Sequence, residues 1–387
     1  MEQINNLPAN EAAEITPKNK KRGFFQIFPL WVFIPFCIAV MCAVFHIIAR
    51  NSTAFANFFT DNIGSVFRFL TAKLTNFIPF SLAETVVLLL PVIISLFLWW
   101  SYKQIKKGHR ARPFFVIIAI SCVFYSLFVL NFACGYGTDR IDVRLGMERK
   151  KVSADELYYT ASCLASEVNA TSGSLTYGAD GFSVMPYSYD EMSEKLCRAF
   201  DAVHKKYPFI KSFSGRVKPV ASSVAMSYAH TTGIYVAFSG EANINIDFPD
   251  YSIPFTAAHE LAHQRGISRE DEANFIAFLV CLESDDVYIR YSGVLGMLEY
   301  TLNPLYGANA NHYREVYLSL DENVRGELRA YSQFFEKYRD STASKVNNAV
   351  NDTYLKVQGT EGTKSYGMVV DLAVAYYLQN AEQNTEN

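Results

Sequence analysis

The residues best suited to chemistry in this sequence lie together in the segment His259-Glu260-Leu261-Ala262-His263. Residues four apart project from the same face of an α-helix, so the two imidazoles would stand side by side. Two histidines at this spacing are typical of a zinc (Zn²⁺) site, with Glu260 beside the open coordination position. Glu260 can take a proton from a water molecule and pass it to a leaving amine, which is peptide hydrolysis. The alternative is an exposed helix face that carries His and Glu for solubility alone.

A hydrolytic zinc normally has three protein ligands, so a third is needed. Ser268 with Asp271 resembles a helix cap, and a second helix is therefore expected to start there. Glu270 and Asn274, four apart on it, resemble the glutamate helix of gluzincins and the Glu-x-x-Ala-Asp element of membrane-bound CAAX-processing and heat-shock-induced peptidases. The resemblance implies that Glu270 is the third ligand and that Asn274 orients a zinc histidine, with Glu272 as the alternative ligand. Otherwise these acids simply occupy the first turn of a helix, where its dipole favours them.

A β-rich segment, 219–246, precedes the histidine helix. Zinc peptidases can pair an extended substrate with such a strand, and edge pairing tolerates many sequences. Glu241, Asn243 and Asn245 alternate and would share one face. We interpret them as substrate-binding residues; the alternative is that they hold a buried turn by hydrogen bonds. His230, close to the same segment, is a candidate for stabilising the oxyanion.

The composition indicates a membrane protein. Half of the residues are hydrophobic and the formal net charge is −3. A near-neutral chain lacks the basic face that nucleic-acid binding requires, so nucleic acid is excluded as a partner. The apolar excess lies almost wholly in the first 134 residues, which predicts a membrane-embedded front part and a soluble back part.

Three apolar runs are long enough to cross ~30 Å of hydrocarbon: about 24–49, 82–102 and 113–133. The loop between the second and third runs is rich in Lys and Arg, as is the segment before the first run. By the positive-inside rule both are cytoplasmic, and everything after 135 is extracytoplasmic. Phenylalanines and aliphatic residues recur in the loop 50–81 at near-helical spacing, which predicts an amphipathic helix on the membrane surface.

The expected fold is mainly α: three N-terminal transmembrane helices, then an α+β zincin-like extracytoplasmic domain with a small sheet and many helices. Ser153 and Glu156 form a capping-box pattern that predicts a helix to about Asn169, and a second helix is expected over about 190–206. The predicted units are a cytoplasmic tail (1–22), a membrane domain (23–134), the zincin-like domain (135–380) and a disordered tail (381–387).

Several segments carry a family resemblance across nearly the whole chain. They are Gly233-Ile-Tyr-Val-Ala-Phe-Ser-Gly-Glu241-Ala-Asn243-Ile-Asn245, His259-Glu-Leu-Ala-His-Gln264, Glu270-Asp-Glu-Ala-Asn274-Phe-Ile-Ala-Phe, Asn351-Asp-Thr-Tyr-Leu-Lys-Val-Gln-Gly359 and Ser365-Tyr-Gly-Met-Val-Val-Asp371. In these the chain resembles the bacterial membrane family catalogued as domain of unknown function 3810. The resemblance implies three spans in the bacterial inner membrane and a zinc metallopeptidase domain, without naming a substrate.

Two functions compete. The first is hydrolysis of extracytoplasmic peptides or proteins, with membrane lipid as the other partner. The second is a metal-binding membrane sensor or scaffold that binds peptide or protein ligands without hydrolysis. Glu260 favours the enzyme, because a binding module has no need of a general base. The cytoplasmic pieces are short, which argues against a self-contained sensor.

Overall fold

Three long apolar helices occupy the first part of the chain, close to the predicted spans. The computed structural model describes residues 29–386, so the predicted tail 1–22 lies outside the described residues. Helices α1, α4 and α5 are each long and apolar enough to cross a membrane. The elements here are α1 (Leu30–Asn51), α2 (Thr53–Phe58), a π-helical turn (Phe59–Gly64), α3 (Ser65–Asn76), α4 (Leu82–Lys106) and α5 (Arg112–Asn131).

The segment that connects α1 to α4 is helical and amphipathic, as its pattern of apolar residues predicts. On α3 the side chains of Arg68 and Ala72 are buried, whereas Leu74 and Phe77 are 70% and 79% exposed. An apolar face left open to this extent suits a helix that lies on a membrane surface.

A helical domain follows α5. Ser153 and Glu156 form the predicted capping box at the start of its first long helix, α7. The last helix continues to Glu386, so the tail predicted as disordered over 381–387 is helical up to that residue. The helices are α6 (Ile141–Leu145), α7 (Ala154–Ser172), α8 (Tyr189–Lys206), α9 (Ser223–Tyr228), α10 (Ser252–Gln264), α11 (Glu270–Leu282), α12 (Val287–Ala308), α13 (Ala310–Ser319), α14 (Glu322–Glu336), α15 (Thr342–Val357) and α16 (Val369–Glu386), with 3₁₀ turns at Ala133–Gly137 and Gly362–Met368.

The small sheet has three strands, β1 (Val217–Val220), β2 (Gly233–Val236) and β3 (Glu241–Asn245), in the order β1-β3-β2. Strand β3 is in the middle, parallel to β1 and antiparallel to β2. All five residues of β3 are buried. Helix α10 packs against this central strand, and both contribute to one hydrophobic core.

A buried carboxylate joins the sheet to α4, the second of the long apolar helices. Glu241 accepts hydrogen bonds from the backbone N–H groups of Leu82 (3.0 Å) and Ala83 (3.2 Å) at the start of α4. The same carboxylate pairs with the ammonium of Lys218, and both side chains are almost fully buried. The first N–H groups of a helix have no partner within the helix, and the helix dipole favours an anion there. Glu241 therefore ties the end of α4 to the middle of the sheet.

A reciprocal contact runs from α4 back to the domain. Glu84, in the first turn of α4, accepts hydrogen bonds from the backbone N–H groups of Ala221 (3.0 Å) and Ser222 (2.7 Å) at the start of α9. Glu241 of the sheet thus caps the N-terminus of α4, and Glu84 of α4 caps the N-terminus of α9. These two contacts fix the domain to α4.

We predict that Glu241→Gln destabilises the intact chain by about 3 kcal/mol, because it leaves the Lys218 ammonium buried without a counter-charge. The thermal midpoint of the chain in detergent, followed by circular dichroism, should fall by about 6–12 °C.

Glu336→Gln is the matched control, since Glu336 is 63% exposed and pairs with an exposed Arg339. Surface pairs of this kind contribute about 0–1 kcal/mol. Equal shifts for the two variants would contradict the assigned role of the Lys218–Glu241 pair.

Candidate metal centre

Two helices and the turn between them bring His259, His263 and Glu270 together. The histidines lie one turn apart near the end of α10, and Glu270 is the first residue of α11. The Nε2 atoms of His259 and His263 are 3.2 Å and 3.4 Å from Glu270 Oε2. One ligand atom from each residue lies within 4.8 Å of the others, so these three side chains could hold a metal ion.

A tight turn sets this geometry. Gly266 adopts φ 99°, a left-handed conformation that favours glycine, and ends α10. A Cβ at this position would also lie 2.6 Å from the guanidinium of Arg68. Because the chain reverses there, Glu270 returns to the histidines after only six intervening residues.

The three side chains suit a metal in their chemistry as well as in their spacing. His263 Nδ1 contacts the carbonyl oxygen of Ile267 at 2.6 Å, which directs Nε2 toward Glu270. His259 Nδ1 is buried and has no hydrogen-bond partner within residues 29–386. Two imidazole nitrogens and one carboxylate oxygen form a common donor set for zinc with an open fourth position.

The electrostatics of the group favour a bound cation. Burial disfavours the charged form of His263, but Glu270 outweighs burial and raises the pKa of His263 to about 9. Burial would raise the pKa of Glu270, yet the two imidazoles hold it well below its usual range. The carboxylate is therefore ionised, and positive charge at this point is stabilised.

Glu260 lies beside this group, beneath β2. The backbone N–H of Tyr235 donates to its carboxylate, and burial raises the pKa of Glu260. A Cβ at residue 233 would lie 2.6 Å from Glu260 Oε1, so Gly233 is required for this close approach. The carboxylate that sequence reasoning assigned as general base is thus held at the edge of the sheet.

Strand β2 has one free edge, and that edge faces Glu260. The carbonyl oxygen of Thr232 accepts a hydrogen bond from the backbone N–H of Asn245 on β3. Hydrogen-bonded positions alternate along an antiparallel pair, so Ile234 and Val236 also direct their backbone groups toward β3. The backbone N–H and C=O groups of the intervening residues, Gly233 and Tyr235, therefore point away from β3. Within the described part of the chain this is one of the two outer edges of the sheet, the other being at β1.

The substrate-binding role predicted for β3 is wrong, because β3 is paired on both sides. Glu241 binds Lys218 and the start of α4, as described above. Asn243 donates to the carbonyl oxygens of Ile234 and Glu241. Asn245 donates to Ser227 Oγ and to the carbonyl oxygen of Thr231. All three side chains support the fold.

The alternative ligand Glu272 lies outside the candidate metal group. Its carboxylate accepts from the backbone N–H of Ile141 at 3.2 Å and pairs with Arg269 at 3.1 Å. Arg140 is 3.3 Å from the same oxygen. Glu272 is two residues beyond Glu270, so its side chain projects from a different side of α11, as helical geometry requires.

Two further predicted roles need correction. Asn274 donates to the Tyr300 hydroxyl at 3.3 Å, and the residue that orients His263 is Ile267, through its carbonyl oxygen. His230 Nε2 contacts the carbonyl oxygen of Tyr338 at 2.7 Å, and its ring packs 4.6 Å from that of Phe335. His230 is therefore engaged with the end of α14, and the oxyanion role has no support.

Aromatic residues that the sequence did not single out surround the site. Burial raises the pKa of Tyr300 to about 12, and the charge of Glu270 contributes. Burial likewise raises the pKa of Tyr354 on α15 to about 12, with a further contribution from Glu270. Tyr354 lies in a segment that carried the family resemblance, but nothing in its spacing pointed to the metal group.

Comparison with known proteins gives a family and no function. Residues 59–374 match the family model described as a protein of unknown function, DUF3810. The chain matches no curated protein and no solved structure. Because the family model covers most of the chain, the protein belongs to the DUF3810 family.

Proposed function

We propose that this protein is a membrane-anchored zinc metallopeptidase of zincin-like fold. The observation that carries the proposal is the convergence of His259, His263 and Glu270 on one point, with Glu260 held beside them. Binding requires only the first three residues. The fourth is a buried carboxylate outside the ligand group, which hydrolysis requires as a proton acceptor.

A zinc ion in this group would supply Lewis-acid activation of a water molecule and of the peptide carbonyl. Glu260 takes the proton of the attacking water and delivers it to the leaving nitrogen. The free edge of β2 offers the backbone groups of Gly233 and Tyr235 to an extended substrate, except the Tyr235 N–H, which donates to Glu260. Tyr300 and Tyr354 keep their protons at neutral pH, so their hydroxyls are candidates to donate to the developing oxyanion.

The location we propose is the bacterial inner membrane, with the peptidase domain on its extracytoplasmic side. The loop that joins α4 and α5, together with the helix ends on either side of it, carries Lys103, Lys106, Lys107, Arg110 and Arg112. By the positive-inside rule this loop is cytoplasmic, and the metal group lies at the opposite end of α5. The substrates are accordingly extracytoplasmic polypeptides.

A metal-binding sensor or scaffold is the second candidate, and one observation favours it. The ligand residues His259, His263 and Glu270 are only 8%, 4% and 9% exposed. A substrate reaches them only after a movement of the surrounding side chains. A sensor would need no such access.

We predict that the intact chain, purified in detergent, contains about one zinc per molecule. His263→Ala and Glu270→Ala should each lose the metal, as measured by inductively coupled plasma mass spectrometry. Glu272→Ala is the matched control and should retain it, because Glu272 binds arginines instead. Zinc lost in the Glu272 variant alone, or absent from the folded wild-type chain, would contradict the assignment.

We further predict that Glu260→Gln retains zinc and loses hydrolysis by a factor of about 10²–10⁴, because the proton acceptor is gone. The assay follows cleavage of a mixture of synthetic peptides by mass spectrometry, with a chelator-treated sample as the blank. Cleavage at the wild-type rate by the zinc-loaded variant would exclude Glu260 as the general base.

A further inference from the structure

The metal group lies directly against the end of the third span. Phe132 follows the last residue of α5, and its ring centroid is 5.5 Å from that of His263 and 5.6 Å from that of Tyr235. The carbonyl oxygen of Phe132 accepts from Ser268 Oγ at 2.8 Å, in the turn between the ligand helices. The first residue after the long apolar helix α5 is therefore in direct contact with a candidate metal ligand.

The hairpin between β2 and β3 extends along this span. The ring centroid of Phe238 lies 4.9 Å from that of Phe124 and 6.5 Å from that of Phe128. Phe124 is seven residues before the end of α5 at Asn131, or about 10 Å inside it at 1.5 Å per residue. The Phe238 side chain is 42% exposed. The tip of the hairpin thus lies beside the apolar part of the helix.

The free edge of β2 leads from Glu260 toward this tip. Tyr235, whose N–H reaches Glu260, is one residue before the end of β2 at Val236. Phe238 lies in the turn that follows, so the two residues are at most about 10 Å apart. A peptide paired with this edge would pass Glu260 and arrive at the end of the span within three or four residues.

Helix α15 places a second apolar surface at the same level. Its last carbonyl, of Val357, accepts from Arg50 at the end of α1, and Tyr354 packs 6.4 Å from Phe128 of α5. Val350 and Val357, seven residues apart on one side of the helix, are 64% and 61% exposed. The surroundings of the metal group are therefore apolar where they meet the ends of α1 and α5.

From this geometry we infer that the substrate is a polypeptide held in the membrane, cleaved within a few residues of its anchor. The inference rests on the proposed peptidase function and narrows its substrates. The anchor is an apolar segment, either a lipid chain or a transmembrane helix. Both would lie in the bilayer beside Phe238 while the adjoining extended segment pairs with β2.

The test uses the full chain in lipid nanodiscs with the Glu260→Gln substitution, which allows binding to be measured without turnover. Phe238 is replaced by the photo-reactive benzoylphenylalanine, and in a second variant the exposed Ile234 of the same strand is replaced. Phe77, the residue that follows α3 and is 79% exposed, carries the same group in the control. The probes are one mixture of random octapeptides, supplied free, palmitoylated at either end, or joined at either end to a transmembrane helix.

The expected result is crosslinking of the anchored peptides at residues 238 and 234, well above that at residue 77, and little crosslinking of the free peptides. In the wild-type chain, anchored peptides should be cleaved about 100-fold faster than free ones, since tethering raises the effective concentration by about 10²–10⁴. Palmitoylated and helix-linked peptides distinguish the two kinds of anchor.

Cleavage of free and anchored peptides at equal rates would overturn the membrane-anchored substrate while leaving the peptidase intact. Equal crosslinking at residues 238 and 77 would also overturn it. Strong crosslinking at 238 and 234 with no cleavage of any probe would support the inference as binding and reject the peptidase.

Discussion

The turn from Arg265 to Arg269 is the constraint on which the rest of the structure depends. Its left-handed glycine reverses the chain, and its Ile267 carbonyl orients His263, so it fixes both ligand helices. Two of its side chains reach the segment that follows the third apolar helix: Ser268 donates to the carbonyl oxygen of Phe132, and Arg269 donates to those of Tyr136 and Thr138. The same short segment thus assembles the metal group and joins it to the end of the third span.

The second and third spans hold the domain by different means. At α4 the contact is electrostatic, with Glu241 and Glu84 capping opposite helix N-termini. At α5 it is a mixture of aromatic packing and backbone hydrogen bonds, including that from Asn131 to the carbonyl oxygen of Ala237. Contacts at two of the apolar helices join the domain to them at separate points, and the free edge of β2 therefore keeps a fixed relation to α4 and α5.

Local signals in the sequence predicted the parts of the fold that local physics decides. Apolar length predicted three helices long enough to cross a membrane, a capping box predicted the start of α7, and the four-residue spacing of His259 and His263 predicted one face of a helix. The resemblance to a glutamate helix pointed to Glu270, and the structure places it with the histidines. These features depend on residues close together in the chain, where spacing translates directly into position.

The errors about the site residues concern partners distant in sequence. Alternation along 241–245 indicates a strand, but only the pairing with β1 and β2 shows that it is central and closed to substrate. Nothing near Glu241 reveals that its partners include Leu82, and nothing near Asn274 reveals Tyr300. The position of Tyr354 is equally non-local, since α15 reaches the site only after the whole domain has folded.

The most direct test of the proposed zinc site is X-ray absorption at the zinc edge on the intact purified chain. The structure predicts nearest neighbours that are nitrogen and oxygen only, at about 2.0–2.2 Å, with the multiple-scattering pattern of two imidazoles. In Glu270→Ala one oxygen neighbour should be lost. Sulfur neighbours at about 2.3 Å, or a spectrum without imidazole scattering, would contradict a site built from His259, His263 and Glu270.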